Sequence, residues 1–208
     1  MPEKNKKESV SSEEYESDNS SSDEPIMDGF SYHENFITSK QEKKLLDIIN
    51  KQEWNTKMSR RVQHYGYAYK YNHISNDKNT DVQEVPSWLS DIYETAVAQN
   101  LVPKISKDKM QIIINEYMPG QGIGYHIDDP KIFGKTIVAL TLGSGCELSF
   151  TNKINTINKY VDQKSLYVMK NDARYVWQHG IIKRKSDVVN GKKILRGVRI
   201  SVTFRKML

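Results

Sequence analysis

Residues 115–128 read NEYMPGQGIGYHID and end in the triplet His126-Ile127-Asp128. Successive side chains of a β-strand point to opposite faces, so His126 and Asp128 project to the same side. A neutral imidazole beside a carboxylate supplies two of the three protein ligands of a mononuclear non-haem Fe(II) site, the 2-His-1-carboxylate triad. Because a His-x-Asp triplet often arises by chance, the prediction depends on what the rest of the chain adds.

The third ligand that the sequence offers is His179, 51 residues after Asp128. It lies near the end of a predicted strand, where ligands from different strands can converge. Three protein ligands on an octahedral ion leave three positions, enough for a bidentate co-substrate and O2. We therefore predict His126, Asp128 and His179 as the metal-binding catalytic residues.

The last predicted strand has a polar face that carries two arginines. On this face Arg199, Ser201, Thr203 and Arg205 alternate with Ile200, Val202 and Phe204. Guanidinium groups that face the interior beside a metal site are unfavourable unless carboxylates meet them. 2-Oxoglutarate satisfies this demand, because one end chelates iron and the other accepts a bidentate cation. We predict a co-substrate pocket here, to which Asn115 and Tyr117 add hydrogen bonds; the alternative is an edge strand with two solvated arginines.

The pattern around these motifs predicts the fold. From Met110 onward, turn-like residues separate the predicted strands MQIIINEYM (110–118), TIVALTL (136–142), CELSFT (146–151), SLYVMK (165–170), RYVWQH (174–179) and GVRISVTFR (197–205). Many short strands of this kind indicate a jelly roll, or double-stranded β-helix, of the cupin type. Capping-box spacing from Ser39 to Glu42 begins a helix over about 39–51, and Pro86 opens another over about 86–99. We expect an α+β, mainly β, fold with a jelly-roll core over about 108–208 and two supporting N-terminal helices.

Two further stretches stand out beside this core. Residues 59–72 read SRRVQHYGYAYKYN, in which Arg60 and Arg61 precede the alternating tyrosines Tyr65, Tyr67, Tyr69 and Tyr71. The alternation predicts a strand with one aromatic face, used either for packing or as a platform on which bases stack while the arginines contact phosphates. Residues 183–193 read KRKSDVVNGKK and predict an exposed basic hairpin with Asn190-Gly191 as its turn.

Charge divides the chain into two parts. Residues 1–29 hold three lysines against nine acidic residues, a net charge of −6, and their serine-rich composition predicts a disordered tail. The remaining residues, 30–208, have 28 basic and 17 acidic residues, a net charge of +11. A basic body favours a polyanionic partner such as nucleic acid, although charge alone fits a role in solubility equally well.

Other features of the whole sequence exclude several classes of protein. The single Cys146 excludes a disulfide framework and a Cys-based zinc site. No apolar run approaches the ~20 residues of a membrane span, and the N-terminus lacks the apolar region of a signal peptide. We expect a monomeric protein of the cytoplasm or nucleus with no membrane partner.

Taken together, the motifs resemble those of AlkB-type Fe(II)/2-oxoglutarate-dependent dioxygenases over roughly residues 30–208. The matching elements are N-x-Y at Asn115 and Tyr117, H-x-D at His126 and Asp128, the distal His179, and R-x5-R at Arg199 and Arg205. The resemblance implies Fe(II) as the metal and 2-oxoglutarate and O2 as co-substrates, with Arg199 and Tyr117 on the distal carboxylate of 2-oxoglutarate. It also implies that Asn115 and Arg205 lie near the iron-chelating end. Ser201 stands where family members often have Asn.

Within the family, residues 59–72, 115–128, 165–181 and 199–206 look most like the branch that hydroxylates modified wobble uridines in tRNA. The resemblance places the tyrosine segment in a nucleotide-recognition lid and implies Arg60, Arg61, Tyr65, Tyr67 and Tyr69 as substrate residues. The predicted function is hydroxylation or demethylation of a modified nucleobase in RNA, such as tRNA, or in DNA. Two alternatives are a 2-oxoglutarate oxygenase acting on a protein side chain and a non-catalytic jelly-roll binding module.

Overall fold

The computed structural model describes residues 26–57, 59–67 and 84–208. Most of the predicted disordered tail, and Tyr69 and Tyr71 of the predicted aromatic strand, lie outside the described residues. The elements in chain order are β1 (Phe30–His33), α1 (Ser39–Lys51), β2 (Val62–Gly66), α2 (Ser87–Ala98), β3 (Met110–Tyr117), β4 (Ile123–His126), β5 (Phe133–Leu142), β6 (Cys146–Thr151), β7 (Thr156–Val161), β8 (Leu166–Met169), α3 (Asn171–Tyr175), β9 (Gln178–Ile181), β10 (Ser186–Val189), β11 (Lys192–Leu195) and β12 (Arg199–Met207). None of the described helices is long and apolar enough to cross a membrane.

Two antiparallel sheets form the body of the protein. One has six strands in the order β1-β8-β5-β12-β3-β2, and the other has four in the order β4-β9-β6-β7. One apolar cluster lies between the sheets and includes Phe133, Ile137, Leu148 and Phe150. This arrangement confirms the predicted jelly roll.

The two long helices cover the outer face of the six-stranded sheet. Leu45 and Ile49 of α1 and Leu89 and Tyr93 of α2 join a second apolar cluster with the outward-facing residues of β3 and β12. Both predicted helices are therefore confirmed. The capping box of α1 is displaced by one residue from the prediction, because Thr38, rather than Ser39, is the N-cap and exchanges hydrogen bonds with Gln41.

Strand alternation divides β3 and β12 between two environments. Their even-numbered residues, Met110, Ile112, Ile114, Ile200, Val202 and Phe204, face the helices. The odd-numbered residues face the space between the sheets, and the register places Tyr117 opposite Arg199 and Asn115 opposite Ser201. The predicted polar face of the closing strand therefore points into the jelly roll.

The segment before His179 differs from the prediction. The sequence predicts a strand over residues 174–179, but the structure has α3 there, followed by β9 from Gln178. The backbone N–H of Ala173 donates to the carbonyl of Asp28 at 2.9 Å, which holds α3 against the incoming N-terminal segment. Periodicity cannot reveal this, since a short apolar-rich stretch fits either element.

The strand predicted through His126 and Asp128 is β4, which ends at His126, so Asp128 lies in the loop that follows. The short strands β1 and β7 lie outside the predicted set.

The predicted basic hairpin is confirmed as β10 and β11. Asn190 and Gly191 form its two-residue turn, both with positive φ, as a type I′ turn requires. Its base is held by Asp187, a buried carboxylate that receives hydrogen bonds from Arg196 and Arg184.

Candidate active site

The two histidines of the predicted triad lie side by side on adjacent strands of the four-stranded sheet. Strands β4 and β9 pair so that His126 lies directly opposite His179. Their ring centroids are 4.4 Å apart. Directly opposed residues of antiparallel strands project to the same face, so both rings enter the same cavity.

A hydrogen bond at His126 and burial at His179 suit the two side chains to metal binding. The Nδ1 atom of His126 lies 2.9 Å from the carbonyl oxygen of Gly124, which favours the tautomer that donates from Nδ1 and leaves Nε2 free for a metal. Burial is the main cause that lowers the pKa of His179 to about 4, and the proximity of His126 is the next. His179 is therefore a neutral imidazole near pH 7, the form that binds metals.

Asp128 supplies the carboxylate. Burial alone would raise the pKa of Asp128, but the Arg205 guanidinium and the neighbouring histidine and arginine side chains hold that pKa below its ordinary value. The Oδ1 atom of Asp128 accepts a hydrogen bond from Nη1 of Arg205 at 2.5 Å. The carboxylate is thus ionised and already bound to a cation.

The three side chains fit Fe(II) by type, as two neutral imidazoles and one carboxylate. Across residues 26–57, 59–67 and 84–208, however, no three His, Cys, Asp or Glu side chains already converge around a metal position. In the structure the Asp128 carboxylate is paired with Arg205.

A cavity of about 630 Å³ contains these groups. Its volume is within the usual range for a small-molecule site. Its polar lining brings together most of the predicted site: Arg60, Asn115, Tyr117, His126, Asp128, His179, Arg199, Ser201 and Arg205. Apolar residues from both sheets, such as Ile137 and Leu148, complete the walls.

Arg199 is the most unusual residue of this cavity. It is 3% exposed, and its guanidinium lies 5.6 Å from the ring centroid of Tyr117. Its Nη2 donates to Oγ1 of Thr141 at 3.0 Å, whereas its Nε has no hydrogen-bond partner among the described residues. No carboxylate pairs with Arg199 in the described part of the chain. A buried cation without an anion is unfavourable, so the site demands an anionic ligand.

The structure separates the two predicted substrate arginines. The Nε of Arg60 donates to Oδ1 of Asn115 at 2.9 Å, and Arg60 lines the cavity. Arg61 points to the other face, where it forms a bidentate ion pair with Glu116, with both N···O distances 2.6 Å, and lies over the ring of Trp54. Arg61 therefore supports the fold through Glu116 and Trp54, and its predicted phosphate contact stays a prediction.

The predicted substrate tyrosines also lie in different environments. Tyr65 is 3% exposed and packs edge-to-face on Trp88 in the core, which is incompatible with the predicted stacking on a base. Gly66 has a φ of +72°, and the strand ends there, so Tyr67 leaves the sheet and is 44% exposed. Tyr69 lies outside the described residues.

Arg174 is a site residue that the sequence does not predict. It is buried and donates to the carbonyl oxygens of Asp128 at 2.6 Å and of Phe133 and Gly134 at 3.2 Å each. The guanidinium therefore joins α3, which leads into His179, to the loop that carries Asp128. Its position five residues before His179 is the only signal in the sequence, and it is too weak to identify the role.

Comparison with known proteins agrees with this architecture. Residues 29–205 match the family model described as the 2OG-Fe(II) oxygenase superfamily, so the chain belongs to that superfamily. Enzymes of this superfamily use Fe(II), 2-oxoglutarate and O2, and the chain is accordingly a dioxygenase. Within the superfamily it is AlkB-like.

Three similar proteins illustrate this membership. The chain is 40% identical over 186 residues to Uncharacterized protein L905 of Acanthamoeba polyphaga mimivirus, with 88% of this chain and 86% of that protein covered. It is 32% identical over 209 residues to tRNA (carboxymethyluridine(34)-5-O)-methyltransferase ALKBH8 of Mus musculus, covering 88% of this chain but only 31% of the mouse protein. The solved structure of OsALKBH1 shares the fold, with a TM-score of 0.65, 16% identity, and coverage of 88% of this chain and 99% of that one.

Proposed function

We propose that this dioxygenase oxidises a modified nucleobase in RNA or DNA, with His126, Asp128 and His179 as iron ligands. The observation that carries the site assignment is the buried Arg199 guanidinium, which lies in the same cavity as the triad and lacks a carboxylate partner among the described residues. A dicarboxylate whose far end binds Arg199 and whose near end reaches the triad satisfies both demands.

The residues around this position have distinct roles in the proposal. Arg199 binds the distal carboxylate of 2-oxoglutarate, and Tyr117, over which it lies, orients that end. Asn115 and Arg205 are placed toward the iron-chelating end, and Ser201 adds a hydroxyl beside Asn115. Ile137, Leu148 and their apolar neighbours exclude water from the reacting groups.

When bound, the iron with its co-substrates supplies the oxidant that hydroxylates a substrate C–H bond. An N-methyl group hydroxylated in this way loses formaldehyde and leaves the base with an N–H, whereas a carbon substituent keeps its hydroxyl. A base within a duplex must first be flipped out of the stack to reach the cavity.

Nucleic acid as the substrate is supported by charge and by similarity. Residues 30–208 have a net charge of +11, and Arg60 lies at the cavity together with the partly exposed Tyr125. The mouse relative is named for a tRNA carboxymethyluridine, although the chain matches only 31% of its length. We therefore place tRNA first among the substrates to test.

The test is nucleoside mass spectrometry after incubation with bulk tRNA, alkylated RNA and alkylated DNA, with Fe(II), 2-oxoglutarate and O2. We expect one modified nucleoside to gain an oxygen atom or lose a methyl group, with matching succinate. Oxidation of a peptide pool, with every nucleic acid unchanged, would replace the proposal with a protein-directed oxygenase.

A further inference from the structure

Four buried polar atoms that lack hydrogen-bond partners among the described residues belong to Arg205 and to two neighbouring strand positions. In the described part of the chain, six buried side-chain nitrogen or oxygen atoms have no hydrogen-bond partner. Four of the six belong to one group: Nδ1 of His64, Nε2 and Oε1 of Gln111, and Nε of Arg205. Because such atoms are normally paired, a cluster of them requires an explanation.

The strand register brings these three side chains to one place. Gln111 of β3 lies directly opposite Arg205 of β12 and, on its other side, opposite Gly66 of β2. His64 lies opposite Ile113, one diagonal step from Gln111 on the same face. Directly opposed and diagonal neighbours of a sheet are within reach of long side chains.

The four atoms are chemically complementary. Nε of Arg205 and Nε2 of Gln111 are donors, whereas Oε1 of Gln111 and Nδ1 of a neutral His64 are acceptors. Burial and the charge of Arg205 lower the pKa of His64, which favours its neutral form. Two donors and two acceptors on neighbouring side chains can therefore give each of the four atoms one partner, although neither bond is formed among the described residues.

We propose that Arg205, Gln111 and His64 form a hydrogen-bonded relay that positions Asp128. In this relay Nε of Arg205 donates to Oε1 of Gln111, and Nε2 of Gln111 donates to Nδ1 of His64. With Nε held in this way, the guanidinium plane is fixed and Nη1 is directed to Asp128, the contact that the structure already contains. Gln111 is thus a positioning residue, and the inference rests on the proposed assignment of Asp128 as an iron ligand.

The first test measures stability and metal binding separately. Gln111→Leu removes the central amide of the relay and leaves Nε of Arg205 and Nδ1 of His64 buried without partners, so we expect the melting temperature of the metal-free protein to fall. The affinity for Fe(II) or Co(II), measured anaerobically by tryptophan fluorescence, should fall roughly 10-fold, as for loss of other groups that orient metal ligands. Gln111→Glu keeps the acceptor and should restore much of this affinity.

Gln63 provides a matched control on the other face of the sheet. It is also a buried glutamine, but its amide is satisfied, since Nε2 donates to the carbonyl of Ile49 at 2.9 Å and Oε1 accepts from Tyr65 at 3.1 Å. Gln63→Leu should lower the melting temperature and leave metal affinity unchanged. Unchanged metal affinity in Gln111→Leu, or an equal loss in Gln63→Leu, would overturn the relay.

The second test observes the relay itself. In protein labelled with 15N-histidine, we expect His64 as the Nε2–H tautomer with a hydrogen-bonded Nδ1, and we expect that bond signal to disappear in Gln111→Leu. In an Arg205→Lys background, which lacks the Nε donor, Gln111→Leu should cause no further loss of metal affinity. A fully additive loss, or a His64 signal insensitive to Gln111→Leu, would contradict the relay. Metal affinity that survives Asp128→Ala would instead refute the ligand assignment.

Discussion

Arg205 donates from Nη1 to Oδ1 of Asp128 at 2.5 Å, and each side chain is less than a tenth exposed. This contact joins the closing strand β12 to the loop that follows β4, and so to the H-x-D triplet. The ion pair explains why the buried Asp128 carboxylate remains ionised. Burial raises the pKa of Asp128, whereas the charge of Arg205 lowers that pKa. It also means that Asp128 can bind a metal with one oxygen while the other stays paired.

The first prediction concerns the iron ligands. His126→Ala and Asp128→Ala should each abolish succinate formation and metal binding, because each removes one of three protein ligands. The far-ultraviolet circular dichroism of the metal-free proteins should be unchanged for His126→Ala, whose ring is partly exposed. Normal succinate formation by either variant at saturating iron would refute the assignment.

The second prediction concerns Arg174. Arg174→Met should leave the carbonyls of the 128–134 loop without donors and should reduce the free energy of unfolding by about 2–3 kcal/mol. Metal affinity should fall by roughly 10-fold, because the loop positions Asp128. Arg174→Lys should recover only part of both, since one ammonium cannot donate to carbonyls spread over the loop. Urea unfolding and metal titration measure the two effects, and unchanged metal affinity in Arg174→Met would exclude a positioning role.

The third prediction is a pH dependence at the base of the hairpin. Burial would raise the pKa of Asp187, but hydrogen bonds and charge from Arg196 and Arg184 hold that pKa below its ordinary value of 3.8. Because the folded pKa is the lower one, the stabilisation is complete well above pH 3.8 and is lost as the pH falls below it. Asp187→Asn leaves Arg196 buried without its anion, and should lower the free energy of unfolding at pH 7 by about 3 kcal/mol.

Urea unfolding of wild type and Asp187→Asn between pH 7 and pH 2.5 measures this dependence. The difference between the two proteins should be constant from pH 7 to about pH 5 and should shrink toward the acid end. A difference that grows on acidification would show that the sign of the pKa shift is wrong.

The fourth prediction separates two adjacent arginines. Arg60→Ala should weaken binding of RNA or DNA and flatten its salt dependence, because a phosphate contact is lost. Arg61→Ala removes the ion pair with Glu116, so it should lower stability and leave the salt dependence unchanged. Tyr67→Ala should impair turnover of the nucleic acid, with a loss of about 1–3 kcal/mol if the ring stacks on a base, while uncoupled 2-oxoglutarate turnover stays nearly normal.

Fluorescence anisotropy across a salt series distinguishes these variants. Equal effects of Arg60→Ala and Arg61→Ala on the salt dependence of binding would show that Arg60, which lines the cavity, contributes no more to nucleic-acid binding than Arg61. Salt-independent, weak binding by the wild-type protein would remove nucleic acid from the proposal and leave the oxygenase assignment intact.

Local patterns were sufficient where two site residues lie on one strand. Arg199 and Arg205 of β12 share a face because alternation has a period of two, and this needs no knowledge of the fold. The same argument does not place Asp128, because β4 ends at His126 and Asp128 lies in the loop that follows. The pairing of His126 with His179 depends on the register of β4 and β9, and no local pattern contains that information. The family resemblance supplied the match instead.

Alternation also accounts for the separation of Arg60 and Arg61 in the structure. Adjacent residues of an extended chain point to opposite faces, but only the folded structure shows that Arg60 faces the cavity and Arg61 faces Glu116. Tyr65 belongs to the core face for the same reason, and β2 ends at Gly66, which has a positive φ. Arg174 could not be predicted, because its role depends on carbonyls about 40 residues earlier in the chain.

The most direct test of the central claim is binding of 2-oxoglutarate to the metal-loaded protein, measured by anaerobic calorimetry for wild type, Arg199→Ala and Arg199→Lys. The wild-type protein should bind one 2-oxoglutarate per iron. Arg199→Ala should lose several kcal/mol of binding free energy, about 3–5, because a buried carboxylate then lacks its partner. Arg199→Lys should recover only part, since an ammonium cannot reproduce the bidentate fork. Wild-type affinity in Arg199→Ala would contradict the account, because the cavity that joins Arg199 to the triad would then not be the co-substrate site.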